Sequence, residues 1–188
     1  KYKKIKYFLK FRRMIKMAAI KTVLECIMER ENNPKMIGSY VNLKSRMSAG
    51  DAHYAGELVE GAHIVTAWGD VGTELAIRLH GDESLFVGYE EVRYTAPVYA
   101  GDWMEYGGYI EKVGNTSFKC KFFAYKWMRD SKDENGNVIN GSGAEMINPP
   151  EIAAYGTGTL MVKKELQRPE FADPDFVADA KAYREANK

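Results

Sequence analysis

A single helical stripe followed by four alternating segments restricts the folds that this chain can adopt. Between residues 61 and 80, large apolar side chains recur at steps of four, three, four and four, which places them on one face of a helix. These side chains are Ile64, Trp68, Val71, Leu75 and Leu79. Gly81 follows His80 and is typical of the left-handed residue that ends a helix. The pattern therefore predicts one long helix that is buried along one side.

The chain on either side of this helix is expected to form strands. Four later segments alternate with period two, at residues 85–97, 103–113, 118–128 and 152–162. A further strand before the helix is expected to bury the face that carries Ile37, Ser39, Val41 and Leu43. Segment 129–151, rich in glycine, asparagine and proline, predicts a loop without regular structure. We expect an α+β fold in which a curved antiparallel sheet of about five strands wraps one central helix.

Two glycines lie inside the predicted helix, where glycine is unfavourable. Gly69 and Gly72 each disfavour a helix by about 1 kcal/mol relative to alanine, and close approach of the helix to the sheet would explain both. Near the end of the chain, Asp173 can cap a helix that has Pro174 at its first position. We therefore expect a tail, residues 169–188, that contains a short helix.

Charge divides the chain into two parts. Residues 1–35 carry 11 of the 27 Lys and Arg residues and 3 of the 26 Asp and Glu residues. The remainder therefore has 16 basic and 23 acidic residues, a net charge of about −7. An acidic domain argues against a nucleic-acid partner, because phosphate binding needs a clustered basic face. A length of 188 residues is typical of one domain, which we assign to residues 36–168.

The basic segment, residues 1–35, is interpreted as an N-terminal extension. Two interpretations stay open: an amphipathic helix at a membrane surface, or a non-native extension or upstream start choice with Met36 as the true beginning. No apolar run is long enough to span a bilayer, so no membrane partner is expected. Two cysteines, Cys26 and Cys120, indicate neither a disulfide framework nor a thiolate metal site, which favours a cytoplasmic protein. The three histidines lack metal-ligand spacing, so no metal is expected.

Four stretches of the domain resemble a known enzyme family. RMSAGDAHYAGELVEGA, WGDVGTELAIRLHGDESLF, PVYAGDW and VGNTSFKCKFFAYK are similar to the 3-aminobutyryl-CoA and β-alanyl-CoA ammonia lyases, over nearly all of residues 36–168. The resemblance implies a hot dog fold and a homo-oligomer, with a dimer as the minimum and a hexamer as one higher assembly. It also implies conversion of 3-aminobutyryl-CoA, or else β-alanyl-CoA, to an enoyl-CoA and ammonia, the former in lysine fermentation. Coenzyme A would enter as part of the substrate, with no tightly bound cofactor.

The resemblance places the catalytic site at the loop before the helix. Asp51 lies where related hot dog enzymes keep an acidic residue, and it is the first catalytic candidate. Its alternative is an ordinary loop or capping aspartate. His53 could orient that carboxylate or contact the thioester. Backbone N–H groups of Gly61 and Ala62 at the helix start could polarise the thioester carbonyl.

Two further carboxylates lie on the polar side of the helix. Asp70 and Glu74 are one turn apart, and their mutual repulsion in an interface would favour proton uptake by one of them, as a general base needs. The alternative is a solvated helix face on which Glu74 pairs with Arg78, an interaction of only a few tenths of a kcal/mol.

The turn between two predicted strands is the candidate site for coenzyme A. Gly114 permits close backbone approach, and the side chains and N–H groups of Asn115, Thr116 and Ser117 can bind phosphate or amide groups. Lys119 would add positive charge. The alternative is a hairpin turn beside a lysine-rich exposed face.

Two other functions use the same fold. A hot dog thioesterase would aim a carboxylate at water or at the thioester carbonyl, and sequence separates it poorly from a lyase. A non-catalytic acyl-CoA sensor would bind without turnover, usually beside a DNA-binding domain. The basic segment is too short for such a domain and has no helix-turn-helix pattern.

Overall fold

The computed structural model describes residues 36–188, which contain two α-helices and seven strands. Before the long helix come β1 (Ile37–Arg46), β2 (Ala52–Tyr54) and β3 (Leu58–Val59), and the helix α1 is Gly61–His80. After it come β4 (Leu85–Tyr94), β5 (Trp103–Val113), β6 (Ser117–Asp130), β7 (Ala144–Met161) and the helix α2 (Pro174–Ala186). The predicted basic extension lies outside the described residues.

Five of the strands form one antiparallel sheet in the order β1-β5-β6-β7-β4. Each neighbouring pair is antiparallel. Helix α1 packs against all five of these strands, which confirms the predicted sheet that wraps one helix. The two short strands β2 and β3 pair separately, between β1 and α1.

The buried side of α1 is the predicted one, and Trp68 is at its centre. The five stripe residues are at most 3% exposed. Trp68 stacks on Phe122 at 5.7 Å and donates a hydrogen bond from Nε1 to the backbone oxygen of Phe123, 3.0 Å away. A Cβ on Gly156 would lie 2.9 Å from the indole ring, so only glycine lets β7 approach Trp68 this closely. Helix and sheet are therefore fitted to each other around one indole.

The structure distinguishes the two helical glycines. A Cβ on Gly72 would lie 3.0 Å from Leu160 Cδ2, as expected for close approach to the sheet. Gly69 meets nothing within 4 Å, so the explanation by close approach is wrong for this residue in the single chain. As predicted, α1 ends at Gly81, whose φ is 66° and whose N–H donates to the Ile77 carbonyl at 2.8 Å. Over residues 36–188, neither helix has the length and apolar character needed to cross a bilayer.

The predicted buried face of the first strand is wrong at Ser39, which is exposed. The ladder pairs Ile37 with Ile110 and Val41 with Gly108. Between these pairs β1 advances by four residues while β5 advances by two, so β1 contains two extra residues. This bulge contains a left-handed residue, Gly38, with φ 72°. It breaks the alternation at Ser39, whereas Val41 is buried like Ile37, because two extra residues return the strand to the same face.

Segment 129–151 was expected to lack regular structure, and part of it is strand. The β6–β7 ladder continues as far as the pair Asp130 and Ala144, so β7 begins eight residues before the predicted start at 152. Cross-strand pairing overrides the local preference of the proline- and asparagine-containing sequence. At the other edge, β4 ends at Tyr94, three residues before the predicted limit of 97.

The C-terminal tail packs on the domain. Helix α2 begins after Asp173, whose side chain accepts a hydrogen bond from the Asp175 N–H, as the capping pattern predicts. Phe176 is 1% exposed and belongs to the core, and Asp179 Oδ2 accepts the Gly38 N–H at 3.0 Å. The tail therefore fastens the bulge in β1 to the rest of the fold.

A buried histidine connects this tail with the end of α1. His80 is 5% exposed, and its Nε2 has no hydrogen-bond partner among the described residues. Burial, and next the positive charge of Arg184 on α2, lower the pKa of His80 to about 4, whereas Asp82 acts in the opposite direction. The folded chain therefore holds this imidazole neutral.

Gly81→Ala should destabilise the fold more than Gly136→Ala. Both residues have positive φ, 66° and 83°, where a side chain costs about 1–2 kcal/mol. Only at Gly81 does a Cβ also meet backbone, the Arg168 carbonyl oxygen at 2.6 Å; Gly136 faces open space. We expect the free energy of unfolding, from chemical denaturation, to fall by at least about 1 kcal/mol more in Gly81→Ala. Equal losses would contradict this steric account.

Replacing His80 should make the protein less sensitive to acid. The unfolded chain takes up a proton at this side chain as pH falls below 6.5, whereas the folded chain does so only near pH 4. Between these two pH values acidification lowers the free energy of unfolding. At pH 4.5 the loss from this one side chain is about 2 kcal/mol relative to pH 7. We expect His80→Phe to reduce the loss of unfolding free energy between pH 7 and 4.5 by this amount, in denaturation experiments at fixed protein concentration. Equal losses of unfolding free energy between pH 7 and 4.5 in the wild type and in His80→Phe would contradict this.

Candidate active site

The segment between β1 and α1 is fastened at both ends to the loop between β4 and β5. This segment, residues 47–59, contains the predicted catalytic residues Asp51 and His53. Four backbone hydrogen bonds of 2.8–2.9 Å hold it, namely Met47 N–H to Asp102 O, Gly101 N–H to Met47 O, Val59 N–H to Val98 O and Ala100 N–H to Glu57 O. Its ends are therefore fixed to the fold although most of its residues are exposed.

A buried ion pair supports the loop that holds this segment. Lys126 Nζ lies 3.3 Å from Asp102 Oδ2, and both side chains are 5% exposed. The same ammonium donates to the Pro97 carbonyl at 2.6 Å and pairs with Glu151 at 3.1 Å. Burial raises the pKa of Asp102, while the Tyr99 N–H and Lys126 oppose that rise. Removal of the Lys126 charge would leave the Asp102 carboxylate buried without this ion pair, a large cost.

Asp51 is held as an anion by its own loop. Its Oδ2 accepts hydrogen bonds from the Ser48 backbone N–H at 2.7 Å and from the Ser48 hydroxyl at 2.8 Å. The hydrogen bond from the backbone N–H, then that from the hydroxyl, lower the pKa of Asp51. One oxygen is thus used for positioning, and Oδ1 is left to face other groups. The capping interaction with Ser48, the alternative role for Asp51, is therefore present, but it uses only one of the two carboxylate oxygens, Oδ2.

That remaining oxygen faces a histidine that the sequence analysis did not select. His63 Nδ1 lies 3.8 Å from Asp51 Oδ1, and the two side chains are 32% and 29% exposed. His53, the predicted partner of Asp51, instead packs edge-on against Tyr54, with ring centroids 5.0 Å apart. The described structure therefore pairs Asp51 with His63.

The start of α1 adjoins this pair. Glu60, the N-cap residue, makes no capping hydrogen bond with its side chain. The first N–H groups of the helix, which include those of Gly61 and Ala62, therefore have no acceptor from a capping side chain. The ring of Tyr94, at the end of β4, packs on Gly61: a Cβ there would lie 2.5 Å from Cζ and 2.9 Å from the phenolic oxygen. A phenol and the N-terminus of a helix thus occur side by side, and both are able to donate hydrogen bonds.

Asp70 and Glu74 are not close to Asp51 within one chain. They lie two and three turns beyond His63 on α1, about 10 Å and about 16 Å along the helix axis. Asp70 is exposed. Glu74 pairs with Arg78 at 2.8 Å, the alternative named above, and Arg78 also reaches Asp173 at 3.2 Å. In this arrangement Glu74 helps to connect α1 with the cap of α2, and its catalytic role stays a prediction.

The predicted coenzyme A turn is built into the C-terminal part of the fold. The carbonyls of Gly114, Asn115 and Thr116 each accept a hydrogen bond of 2.8 Å, from Arg184, Gln167 and the Val162 N–H respectively. The side chains of Asn115 and Ser117 stay exposed. Lys119 is not a free cation, because its Nζ lies 2.5 Å from Glu90.

The turn and Asp51 lie at opposite ends of α1. His80, the last residue of α1, packs against Phe118 just after the turn, with ring centroids 5.8 Å apart. Asp51 lies beside His63 in the first turn, and 20 residues of helix span about 30 Å. One chain therefore does not bring the predicted coenzyme A turn and the predicted catalytic aspartate together.

An open cavity of about 380 Å³ adjoins the Asp51 loop. Its lining includes Ser48, which holds Asp51, and three charged residues, Arg46, Glu57 and Asp130. Arg46 lies 3.6 Å from Asp130. Over the described part of the chain, no group of three or more His, Cys, Asp and Glu side chains could hold a metal ion.

Sequence reasoning missed His63 and Tyr94 for different reasons. The hairpin β2–β3 pairs Ala52 with Val59, which folds the chain back and brings Asp51 to the first turn of α1. Recognition of this short hairpin in the sequence would have indicated His63. Tyr94 gives no local signal, because sheet pairing alone carries the end of β4 to Gly61.

Comparison with known proteins places the chain in a family. No protein-family model matches the sequence. The 3-aminobutyryl-CoA ammonia lyase of Acetoanaerobium sticklandii is 45% identical over 126 residues, 67% of this chain and 96% of that protein. The structure of the β-alanyl-CoA:ammonia lyase of Clostridium propionicum is also 45% identical, with a TM-score of 0.69 over 77% of this chain and 98% of that one.

More distant structures share the fold. A hexameric hotdog fold thioesterase of Campylobacter jejuni is 19% identical, with a TM-score of 0.51 over 69% of this chain and 90% of that one. This likeness concerns the fold alone, whereas the two lyases match nearly their whole length. The chain therefore has the hot dog fold and belongs to the family of the 3-aminobutyryl-CoA and β-alanyl-CoA ammonia lyases.

Proposed function

We propose that this protein removes ammonia from a short 3-aminoacyl-CoA, with 3-aminobutyryl-CoA as the preferred substrate and β-alanyl-CoA as the second. The observation that carries the proposal is the Asp51 carboxylate, held as an anion by Ser48 beside the first turn of α1. The substrate has a cationic amine next to a polarisable thioester. An anion beside a helix start that has no side-chain cap matches both features.

Asp51 is proposed to hold the substrate ammonium. Its Oδ1 does not take part in the hydrogen bonds with Ser48, and the carboxylate is partly exposed, so it can accept from a cation. An amine that is already protonated needs no general acid to leave. The site therefore needs one anion for the ammonium and a separate base for the proton on C2.

The start of α1 is proposed to stabilise the enolate. Loss of the C2 proton moves negative charge onto the thioester oxygen, and the N–H groups of Gly61 and Ala62 are suitable donors for it. Tyr94 places a phenol against Gly61 and can add a third hydrogen bond. Burial raises the pKa of Tyr94, which keeps this phenol protonated.

A complete site is proposed to need two subunits. The coenzyme A turn at Gly114–Ser117 lies about 30 Å of helix away from Asp51 in one chain, so a neighbouring subunit would supply one of them. Asp70 and Glu74 act at Asp51 only if another copy of α1 brings them there. The thioesterase of Campylobacter jejuni, which shares the fold, is hexameric. We propose a homo-oligomer with a dimer as the minimum and a hexamer as the full assembly.

Coenzyme A is proposed to enter only as part of the substrate, with no tightly bound cofactor. The turn offers the side chains of Asn115, Thr116 and Ser117, since its carbonyls already accept hydrogen bonds from the protein. Lys119 would contribute charge only by leaving Glu90. We propose a cytoplasmic enzyme, because two cysteines without disulfide or metal-site spacing fit a reducing compartment. A place in lysine fermentation follows from the choice of 3-aminobutyryl-CoA as the preferred substrate.

Reverse turnover tests the proposal directly. The protein is mixed with crotonyl-CoA and ammonium, and separately with acryloyl-CoA and ammonium, while enoyl absorbance and free thiol are followed. We expect loss of the enoyl signal without thiol release, faster with crotonyl-CoA. Release of thiol would instead identify a thioesterase, and faster reaction of acryloyl-CoA would make β-alanyl-CoA the substrate. A single methyl group is worth about 1–3 kcal/mol in such a comparison.

Substitution of the carboxylates separates catalytic from structural roles. Asp51→Asn and Glu74→Gln should each lower turnover by about a hundredfold or more while the assembly, measured by light scattering, is unchanged. Arg78→Gln is the matched control for Glu74, because it breaks the same ion pair and keeps the carboxylate. If Arg78→Gln lowers turnover as much as Glu74→Gln, the ion pair matters and the carboxylate has no catalytic role.

A further inference from the structure

We infer that His63 is the base that takes the C2 proton, and that Asp51, besides holding the substrate ammonium, orients the His63 ring. This inference rests on the proposed function and adds a residue to its site. Among the described residues, His63 is the histidine that lies beside Asp51, at 3.8 Å. That distance is longer than a hydrogen bond, as is common for catalytic pairs without bound substrate.

The geometry assigns the two nitrogens of His63 different tasks. Nδ1 faces Asp51 Oδ1, so a proton on Nδ1 is directed at the carboxylate and Nε2 keeps its lone pair. The Asp51 side chain cannot turn away freely, because its other oxygen accepts two hydrogen bonds from Ser48. His63 itself is in the first turn of α1, which is fixed by the buried residues Ile64 and Trp68.

The pair fits the spacing of the reacting atoms. The acidic proton is on C2 and the ammonium is on C3, so the base and the anion that holds the ammonium must be neighbours. Asp51 and His63 are neighbours within one chain. Asp70 and Glu74 of that chain are about 10 Å and about 16 Å along α1, so they would have to come from another subunit. His63 is about a third exposed, so a substrate can reach it.

The step balances without a further reactant. His63 Nε2 forms a bond to the C2 proton as the C2–H bond breaks, and the electron pair moves into the enolate. The enolate then forms the C2–C3 double bond as the C3–N bond breaks, and ammonia leaves with that electron pair. The imidazolium, stabilised by Asp51, then gives its proton to the ammonia, so ammonium is released and His63 is neutral again.

Three variants test this assignment. His63→Gln should lower kcat by about a hundredfold to ten-thousandfold and remove the acidic limb of the pH profile of kcat/KM. His53→Gln should keep that limb, whatever it does to the rate. Thr66→Ala, one turn along the same helix, is the control for a surface change. It should keep wild-type turnover, since the bond that the Thr66 hydroxyl makes within the described residues is to the Ala62 carbonyl, at 3.1 Å.

Chemical rescue separates a base from a structural residue. Added imidazole should restore a measurable part of the turnover of His63→Ala and none of that of Asp51→Ala. Wild-type turnover in His63→Gln, or an acidic limb that persists in it, would overturn the inference, as would a His63→Ala that imidazole does not restore. If wild-type protein fails to consume crotonyl-CoA with ammonium, the proposed function itself fails, and the two failures are thereby distinguished.

Discussion

Packing of Trp68 against the concave face of the sheet is the constraint on which the rest of this structure depends. The indole stacks on Phe122, donates a hydrogen bond to the Phe123 carbonyl and requires glycine at Gly156. Loss of an aromatic side chain from such a core costs about 3–5 kcal/mol. The position and rotation of α1 follow from this contact, and so does the direction in which its first turn presents His63, Gly61 and Ala62.

The candidate site combines this rigid helix with a loop that carries its own supports. Residues 47–59 are hydrogen-bonded at both ends to a loop that Lys126 and Asp102 hold from inside the protein. Inside the segment, Ser48 directs one oxygen of Asp51 and leaves the other toward His63. A buried ion pair is weak evidence for stability, but here it supports the loop that positions a partly exposed anion, Asp51.

The same helix presents two different kinds of polar surface. Its N-terminal turn has donors and a histidine beside an anion, whereas its C-terminal half uses charge to hold the tail through Glu74, Arg78 and Asp173. The coenzyme A turn is attached to that second end through His80 and Arg184. Separation of these parts along about 30 Å of helix is the physical reason to expect that subunits share a site.

Local sequence determined the regular parts of this protein. The stripe from Ile64 to Leu79, the glycine that ends α1, the strand Trp103–Val113 and the Asp173 cap were readable because each depends on side chains a few residues apart. The tertiary structure decided the bulge at Gly38, the extension of β7 to Ala144, the pairing of Asp51 with His63 and the contact of Tyr94 with Gly61. These features depend on strand pairing between distant segments, and a single sequence has no local period that records which segments meet.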